Sequence, residues 1–352
     1  MQIRFQKSVD LLRDLIKIQS YSGEEASTAD VIQVFLNEEG ISTERIHNNI
    51  IAKSKSFDSF KKTIVLNSHH DTVKIGEGWS KDPLGAEIED GKLYGRGSND
   101  AGGCLVSLIA AFCHFYNDEL PYNLILIASG EEENFGTRGV SSVLKELEIR
   151  PALGIIGEPT EMHLAIAEKG LIVIDGLAEG IAGHAARDIG ENALYLAMND
   201  IQWVKNYNWD LISDVLGRTK TTVTQIAAGS QHNVIPDQCS FVIDCRVNEH
   251  YSLNEVLEIL QSGTQSKLTP RSLKWHPSGI DINHSIVNAG KALGRNVFGS
   301  PTLSDQVHFT CPTVKVGPGK SERSHTIDEY VGLSEIEEAI VIYIKLLQEV
   351  EL

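Results

Sequence analysis

The stretch Thr63-Ile64-Val65-Leu66-Asn67-Ser68-His69-His70-Asp71-Thr72-Val73 decides how the rest of the chain is read. Its first half is an apolar run rich in β-branched residues, the pattern of a buried strand. Polar groups begin where that run ends, with a histidine and a carboxylate two residues apart. In an open α/β sheet this is where ligands bind, beyond the carboxyl ends of the strands. A His-x-Asp pair at such a place suits a metal-ligating imidazole and the carboxylate that orients it.

Working outward, apolar residues at helical spacing (Val9, Leu12, Ile16) predict a first helix, and 24–39 a second, closed by Gly40. Short strands at 41–43 and 50–53 precede the opening strand. Downstream, Asp90-Gly91-Lys92 predicts a turn, and Gly95-Arg96-Gly97-Ser98-Asn99-Asp100-Ala101-Gly102-Gly103 opens an apolar helix that runs to about residue 116. A strand at 123–129, a helix at 137–147 and a strand at 153–157 follow. Such alternation predicts a parallel or mixed sheet covered by helices. From Glu168-Lys169-Gly170 the order changes to a strand up to 178, a helix at 192–206, strands at 221–228 and 238–247, a helix at 253–262 and a strand near 272–276. That is the βαββαβ order of a ferredoxin-like unit. The first pattern resumes at 283, with a strand at Thr313-Val314-Lys315-Val316 and a closing helix over 334–347. The expectation is a mixed-sheet α/β domain formed by 1–167 plus 282–352, with a ferredoxin-like domain inserted over 168–281.

At 352 residues the chain is long for one core, which agrees with two domains. A formal net charge of -17 argues against nucleic acid and anionic membrane surfaces as partners. Five cysteines, odd in number, widely spaced and without a C-x-x-C pair, predict buried thiols and no thiolate zinc site. The first residues lack the apolar core of a secretory signal, and no window approaches the roughly 18 apolar residues of a membrane span. A cytoplasmic protein is the expectation.

Further acids and a histidine complete the pattern. The strand at 123–129 runs into Glu131-Glu132-Glu133, the strand at 153–157 runs into Glu158-Pro159-Thr160, and Asp100 sits in the glycine-rich turn. Gly317-Pro318-Gly319 leads to Ser324-His325-Thr326. Two histidines with three carboxylates make a ligand set for a pair of divalent ions, one carboxylate bridging them. Imidazole and carboxylate donors suit zinc, cobalt or manganese. Gly95-Arg96-Gly97 is not a dinucleotide loop, because Asp100 stands where the third glycine belongs.

With these motifs in place, the chain resembles the dinuclear metallohydrolases of the M20 peptidase family over nearly its whole length. The resemblance rests on His69-His70-Asp71-Thr72-Val73, Gly95–Asp100, Glu131-Glu132, Gly157-Glu158-Pro159-Thr160, Gly183-His184-Ala185-Ala186-Arg187 and Ser324-His325-Thr326. It implies a zinc-peptidase-type catalytic domain, with the inserted unit acting as a lid or dimerisation domain. It further implies two divalent ions, zinc first and cobalt or manganese as alternatives, bridged by Asp100. His69 and Glu158 would hold one ion, Glu132 and His325 the other. Asp71 would orient His69, and Glu131 would be the general base. The triple glutamate leaves a second register open, with Glu132 as base and Glu133 as ligand. His184 would stabilise the oxyanion, from its own or a partner subunit, and Asn233 and Arg246 would hold substrate. Arg246 has an alternative as a structural ion pair with Asp244. Many relatives carry a lysine soon after the bridging aspartate, where this chain has Ala101-Gly102, and Asp before the glutamate pair, where it has Gly130. The runs Ala167-Glu168-Lys169-Gly170-Leu171 and Gly299-Ser300-Pro301-Thr302-Leu303-Ser304-Asp305 look most like N-acyl-ornithine or citrulline deacylases. The implied reaction is hydrolysis of N-acetyl- or N-succinyl-ornithine in arginine biosynthesis, by a homodimer. Other M20 activities are the alternative, including acetyl-lysine and succinyl-diaminopimelate deacylation and dipeptide hydrolysis, as is a metabolite-binding homologue without activity.

Overall fold

Buried apolar strands at the centre of the chain set its architecture, as seen in a computed structural model that describes residues 2–187 and 189–352. Thr63–His69 and Asn123–Ser129 expose almost nothing along their length. They pair in parallel with each other, and Leu153–Ile156 continues the parallel run on the far side of Thr63–His69. Thr313–Lys315 adds a fourth parallel strand beside Leu153–Ile156. An antiparallel hairpin, Thr43–Ile46 with Asn49–Lys53, closes one edge against Asn123–Ser129. The whole is a nine-stranded mixed sheet. The chain is thus a mixed α/β protein.

The helix Gly103–Phe115 is apolar nearly all round, and all but one of its residues are buried. A helix of that kind belongs in the middle of a core. Its neighbours in one continuous cluster include Leu12 and Leu15 from the helix Gln2–Ile16, Ile32 from Ala26–Glu38 and Tyr343 from Leu333–Glu349. The other sheet face packs Val65, Ile125, Ile127 and Ile156 against Val140, Val143 and Phe309.

The chain divides into two compact units, 1–166 with 279–298 and 304–352, and 167–278 with 299–303. The second unit holds a four-stranded antiparallel sheet. Its strands lie in the order Lys220–Ala228, Gln238–Val247, Gly170–Glu179, Lys267–Pro270. Helices Ala193–Asn206 and Leu253–Gly263 cover it, which makes the βαββαβ arrangement of a ferredoxin-like fold. The second helix starts at a capping box, Ser252 with Glu255. The last strand lies at Lys267–Pro270, earlier than the expected 272–276. The Asp200 carboxylate explains the shift. It accepts hydrogen bonds from the backbone N–H groups of Gln265 and Ser266, so the chain turns into the sheet directly after the helix. The returning segment 299–303 was likewise expected in the first domain.

All five cysteines are free, and four are buried. Among the described residues no helix is long and apolar enough to cross a membrane.

Candidate metal centre

Strand register brings the ligand-bearing residues to one level. His69 pairs with Ser129, and Asn67 pairs with Ile156, so the segments after Ser129 and Ile156 leave the sheet beside His69. Two further bonds hold the exits together: Gly157 N–H donates to Asn67 O at 2.7 Å, and Ser68 Oγ to Gly157 O at 2.8 Å.

The fully buried His69 ring is oriented from behind. Its Nδ1 lies 3.0 Å from the Asp71 carbonyl oxygen and 3.4 Å from Asp71 Oδ1. This turns Nε2 toward Asp100 Oδ1 at 3.3 Å, Glu158 Oε1 at 3.6 Å and Glu132 Oε2 at 3.8 Å. The other oxygen of Asp100, Oδ2, lies 3.4 Å from His325 Nε2. That imidazole contacts both carboxylate oxygens of Glu133, at 3.1 and 3.0 Å. Asp100 therefore presents one oxygen to each histidine, with a second carboxylate beside each ring.

This donor set fits divalent cations. Ligand bonds of about 2.0–2.2 Å place neighbouring donors roughly 3–3.5 Å apart, close to the separations seen here. The carboxylates are also unfavourable as a bare anionic cluster. Burial, reinforced by Asp100 and Glu133, pushes the Glu158 carboxyl up to about 8. Burial, with Glu158, Asp305 and Glu133 adding to it, pushes Glu132 well above the usual range. For His69, burial favours the neutral ring, yet Glu132, Asp100, Asp71 and Glu158 together raise it well above an ordinary imidazole. Cations among these oxygens would offset their repulsion.

The glutamate triplet departs from the expected assignment. Glu131 is the base that the family resemblance implies, but its carboxylate turns away from the histidines. It accepts hydrogen bonds from Arg138 N–H at 3.0 Å and Arg138 Nε at 2.8 Å. The cause is local: Glu131 has φ of +57°, which breaks the extended path after Ser129. Its side chain folds over Gly136, where a Cβ would collide with it. Glu133, not Glu132, then faces His325, and Glu132 points to His69. Asp71 fixes this register as well, accepting Glu132 N–H on Oδ1 and Glu133 N–H on Oδ2, each at 3.1 Å. Burial pushes the Asp71 carboxyl up, but its bonds from His69, Ser22 and Glu133 outweigh that and leave it below the usual carboxylate range. With the one-residue shift, the residue before the glutamate pair is Glu131, so the departure at Gly130 becomes a glutamate in place of the aspartate of many relatives. That acid was the sequence signal for Glu133.

His70 has a structural place. Its Nδ1 lies 2.8 Å from Thr28 Oγ1 and its Nε2 3.0 Å from Asn48 O. Alternation along the strand sends it to the opposite side from His69. A further buried acid, Asp305, accepts hydrogen bonds from Asn67 Nδ2 at 2.7 Å and Ser129 Oγ at 2.8 Å, bracing the exits of both central strands.

The other expected substrate groups lie in the second unit. His184 pairs with Val234, and Asn233 O accepts Ala185 N–H at 3.0 Å, so His184 and Asn233 are neighbours. His184 Nδ1 accepts Ala186 N–H at 3.1 Å, which leaves the Nε2 edge of the ring for other partners. Arg246 chelates Asp244 through Nε at 2.8 Å and Nη2 at 3.0 Å, the structural ion pair weighed for it.

Comparison with known proteins places the chain in a family. A family model described as Peptidase family M20/M25/M40 matches residues 65–349. Succinyl-diaminopimelate desuccinylase 2 of Ruegeria sp. is 27% identical over 373 residues, covering 97% of this chain and 94% of that protein. Succinyl-diaminopimelate desuccinylase of Wolinella succinogenes is 26% identical over 355 residues, covering 94% and 96%. Among solved structures, the M20 family metallo-carboxypeptidase Sso-CP2 from Sulfolobus solfataricus superposes with a TM-score of 0.79 at 16% identity, covering 97% and 98%. The YXEP protein of Bacillus subtilis, a dinuclear metal binding peptidase, gives 0.76 at 17% identity, covering 99% and 98%.

Proposed function

The chain belongs to peptidase family M20/M25/M40 and is a metal-dependent amide hydrolase, and on that premise we propose that it removes the succinyl group from an N-succinylated diamino acid. The observation that carries the chemistry is Asp100, with one oxygen toward His69 and the other toward His325. His69 and Glu158 would hold one divalent ion, His325 and Glu133 the other, with Asp100 between them. When bound, such a pair lowers the pKa of water and polarises an amide carbonyl.

Glu132 is the proposed general base. Of the three acids with an oxygen within 4 Å of His69 Nε2 it stands farthest, and Asp71 fixes its backbone. It takes a proton from the attacking water on a carboxylate oxygen as the water oxygen bonds to the amide carbon. It returns that proton to the amide nitrogen as the C–N bond breaks, and the water's second proton is also taken up by the amine, giving succinate and an ammonium product. Asp71 holds the His69 ring throughout. His184 Nε2 is proposed to donate to the developing oxyanion, with Asn233 beside it in the substrate site. Arg246 would have to leave Asp244 to clamp a substrate carboxylate, and its ion pair supports the structural reading instead.

The inserted unit is proposed as a lid and dimerisation domain. Support comes from its edge strand Lys220–Ala228, mostly exposed and with Ile226 50% exposed, an open edge of the sort that pairs with a second chain. The relatives' names favour succinyl-diaminopimelate over the N-acetyl- or N-succinyl-ornithine expected from sequence, and nothing in them points to arginine biosynthesis. Succinylornithine is the second reading, carried by the run Gly299–Asp305.

A kinetic panel tests the proposal, using succinyl- and acetyl- forms of diaminopimelate, ornithine, citrulline and lysine with zinc, cobalt or manganese. The expected result is a higher kcat/KM for succinyl than for acetyl substrates. Preference for acetyl substrates or a plain dipeptide would contradict it.

A further inference from the structure

Asp100 holds its place without regular secondary structure. Its φ and ψ are -117° and 95°, and those of Ala101 are -121° and 31°, both outside the helix that begins at Gly103. One buried carboxylate accounts for its position. Glu329, 1% exposed, accepts the backbone N–H groups of Asn99 and Asp100 on Oε1, each at 2.9 Å. On Oε2 it accepts Arg96 Nη1 at 2.8 Å and Gly97 N–H at 3.2 Å. Its own backbone carbonyl takes Gly95 N–H at 3.0 Å. No other carboxylate described above gathers so many donors from one turn.

Glu329 also lies four residues after His325, just before the strand Tyr330–Gly332, which pairs with Lys92–Tyr94. On the other side of His325, Asn99 is locked to Lys320: Asn99 Nδ2 donates to Lys320 O and Lys320 N–H to Asn99 Oδ1, both at 3.0 Å. The turn bearing Asp100 is thereby fastened to the His325 segment before and after that histidine.

We propose that Glu329 is a positioning residue for the metal centre, setting the Asp100 turn so that its two oxygens meet the two histidines. This rests on the reading of Asp100 as the shared ligand. The carboxylate form matters. A glutamine would turn an NH₂ group toward two of the four donors and leave Arg96 without its counterion. An aspartate keeps the charge but lacks the reach.

The test uses the full chain with Glu329→Asp, Glu329→Gln and Asp100→Asn beside wild type. Zinc bound per chain is measured across buffered free-zinc concentrations, with apo-protein melting and with kcat and KM for the best panel substrate. Glu329→Asp is expected to weaken zinc affinity about 10- to 100-fold, as loss of a ligand-orienting partner does. It should lower kcat far more than it changes KM, with excess zinc restoring part of the rate. Glu329→Gln is expected to be worse, and if it does not fold, Glu329→Asp decides. Wild-type zinc affinity and kcat in Glu329→Asp, even with a lower melting temperature, would overturn the proposal while Asp100→Asn still loses zinc. Unchanged zinc binding in Asp100→Asn would overturn the reading of Asp100 itself.

Discussion

Two of the strand exits that form this site teach different lessons. At the first, the strand runs through His69, and the two identical neighbours His69 and His70 point to different surroundings. His69 faces the acids and is pushed up in pKa against its burial, whereas His70 is pushed down, chiefly by burial, among Thr28 and Asn48. At the second, Glu131-Glu132-Glu133 begins with a left-handed residue, and alternation no longer says which acid faces the site. Identical side chains take their roles from backbone direction, and that direction is simple at one exit and bent at the other.

Substitutions along the triplet and at its anchor sharpen this contrast. The largest effect is expected for Glu132→Gln, with kcat reduced roughly 10²- to 10⁴-fold and bound metal retained. Steady-state kinetics with metal analysis checks it. Asp71→Asn comes next, because it disturbs the His69 ring and the backbone of Glu132 and Glu133 together. Metal affinity and kcat should each fall about 10- to 100-fold. His70→Phe should cost about 1–3 kcal/mol of unfolding free energy by removing the ring's hydrogen bonds to the Thr28 hydroxyl and the Asn48 carbonyl, with kcat near wild type. Denaturant unfolding measures that, and a lost turnover would mean that His70 is part of the site. Glu131→Gln should do least to catalysis, changing kcat by no more than about threefold while it weakens an ion pair whose Arg138 side is largely exposed.

Much of the fold was legible in the chain. Apolar runs ending in His69, Glu131 and Glu158 mark parallel strands and their functional ends, and the break at Glu168-Lys169-Gly170 marks the inserted βαββαβ unit. The glutamate register was not legible, because a residue at positive φ looks like any other glutamate, and its dependence on Gly136 and Arg138 appears only in three dimensions. Glu329 escaped notice for a related reason. It is 229 residues from Asp100, and its value lies in backbone donors that no side-chain motif records. The last strand of the second unit begins earlier than expected because Asp200, remote in sequence, holds the turn that follows the preceding helix.

The most direct test of the centre is the zinc bound per chain, at saturating buffered zinc, in Glu133→Gln set beside Glu132→Gln. With Glu133 as ligand and Glu132 as base, Glu133→Gln should hold about one ion and Glu132→Gln two, by analogy with losing a ligand and losing a proton carrier. Two ions in Glu133→Gln together with a lost ion in Glu132→Gln would return the site to the register first expected from sequence.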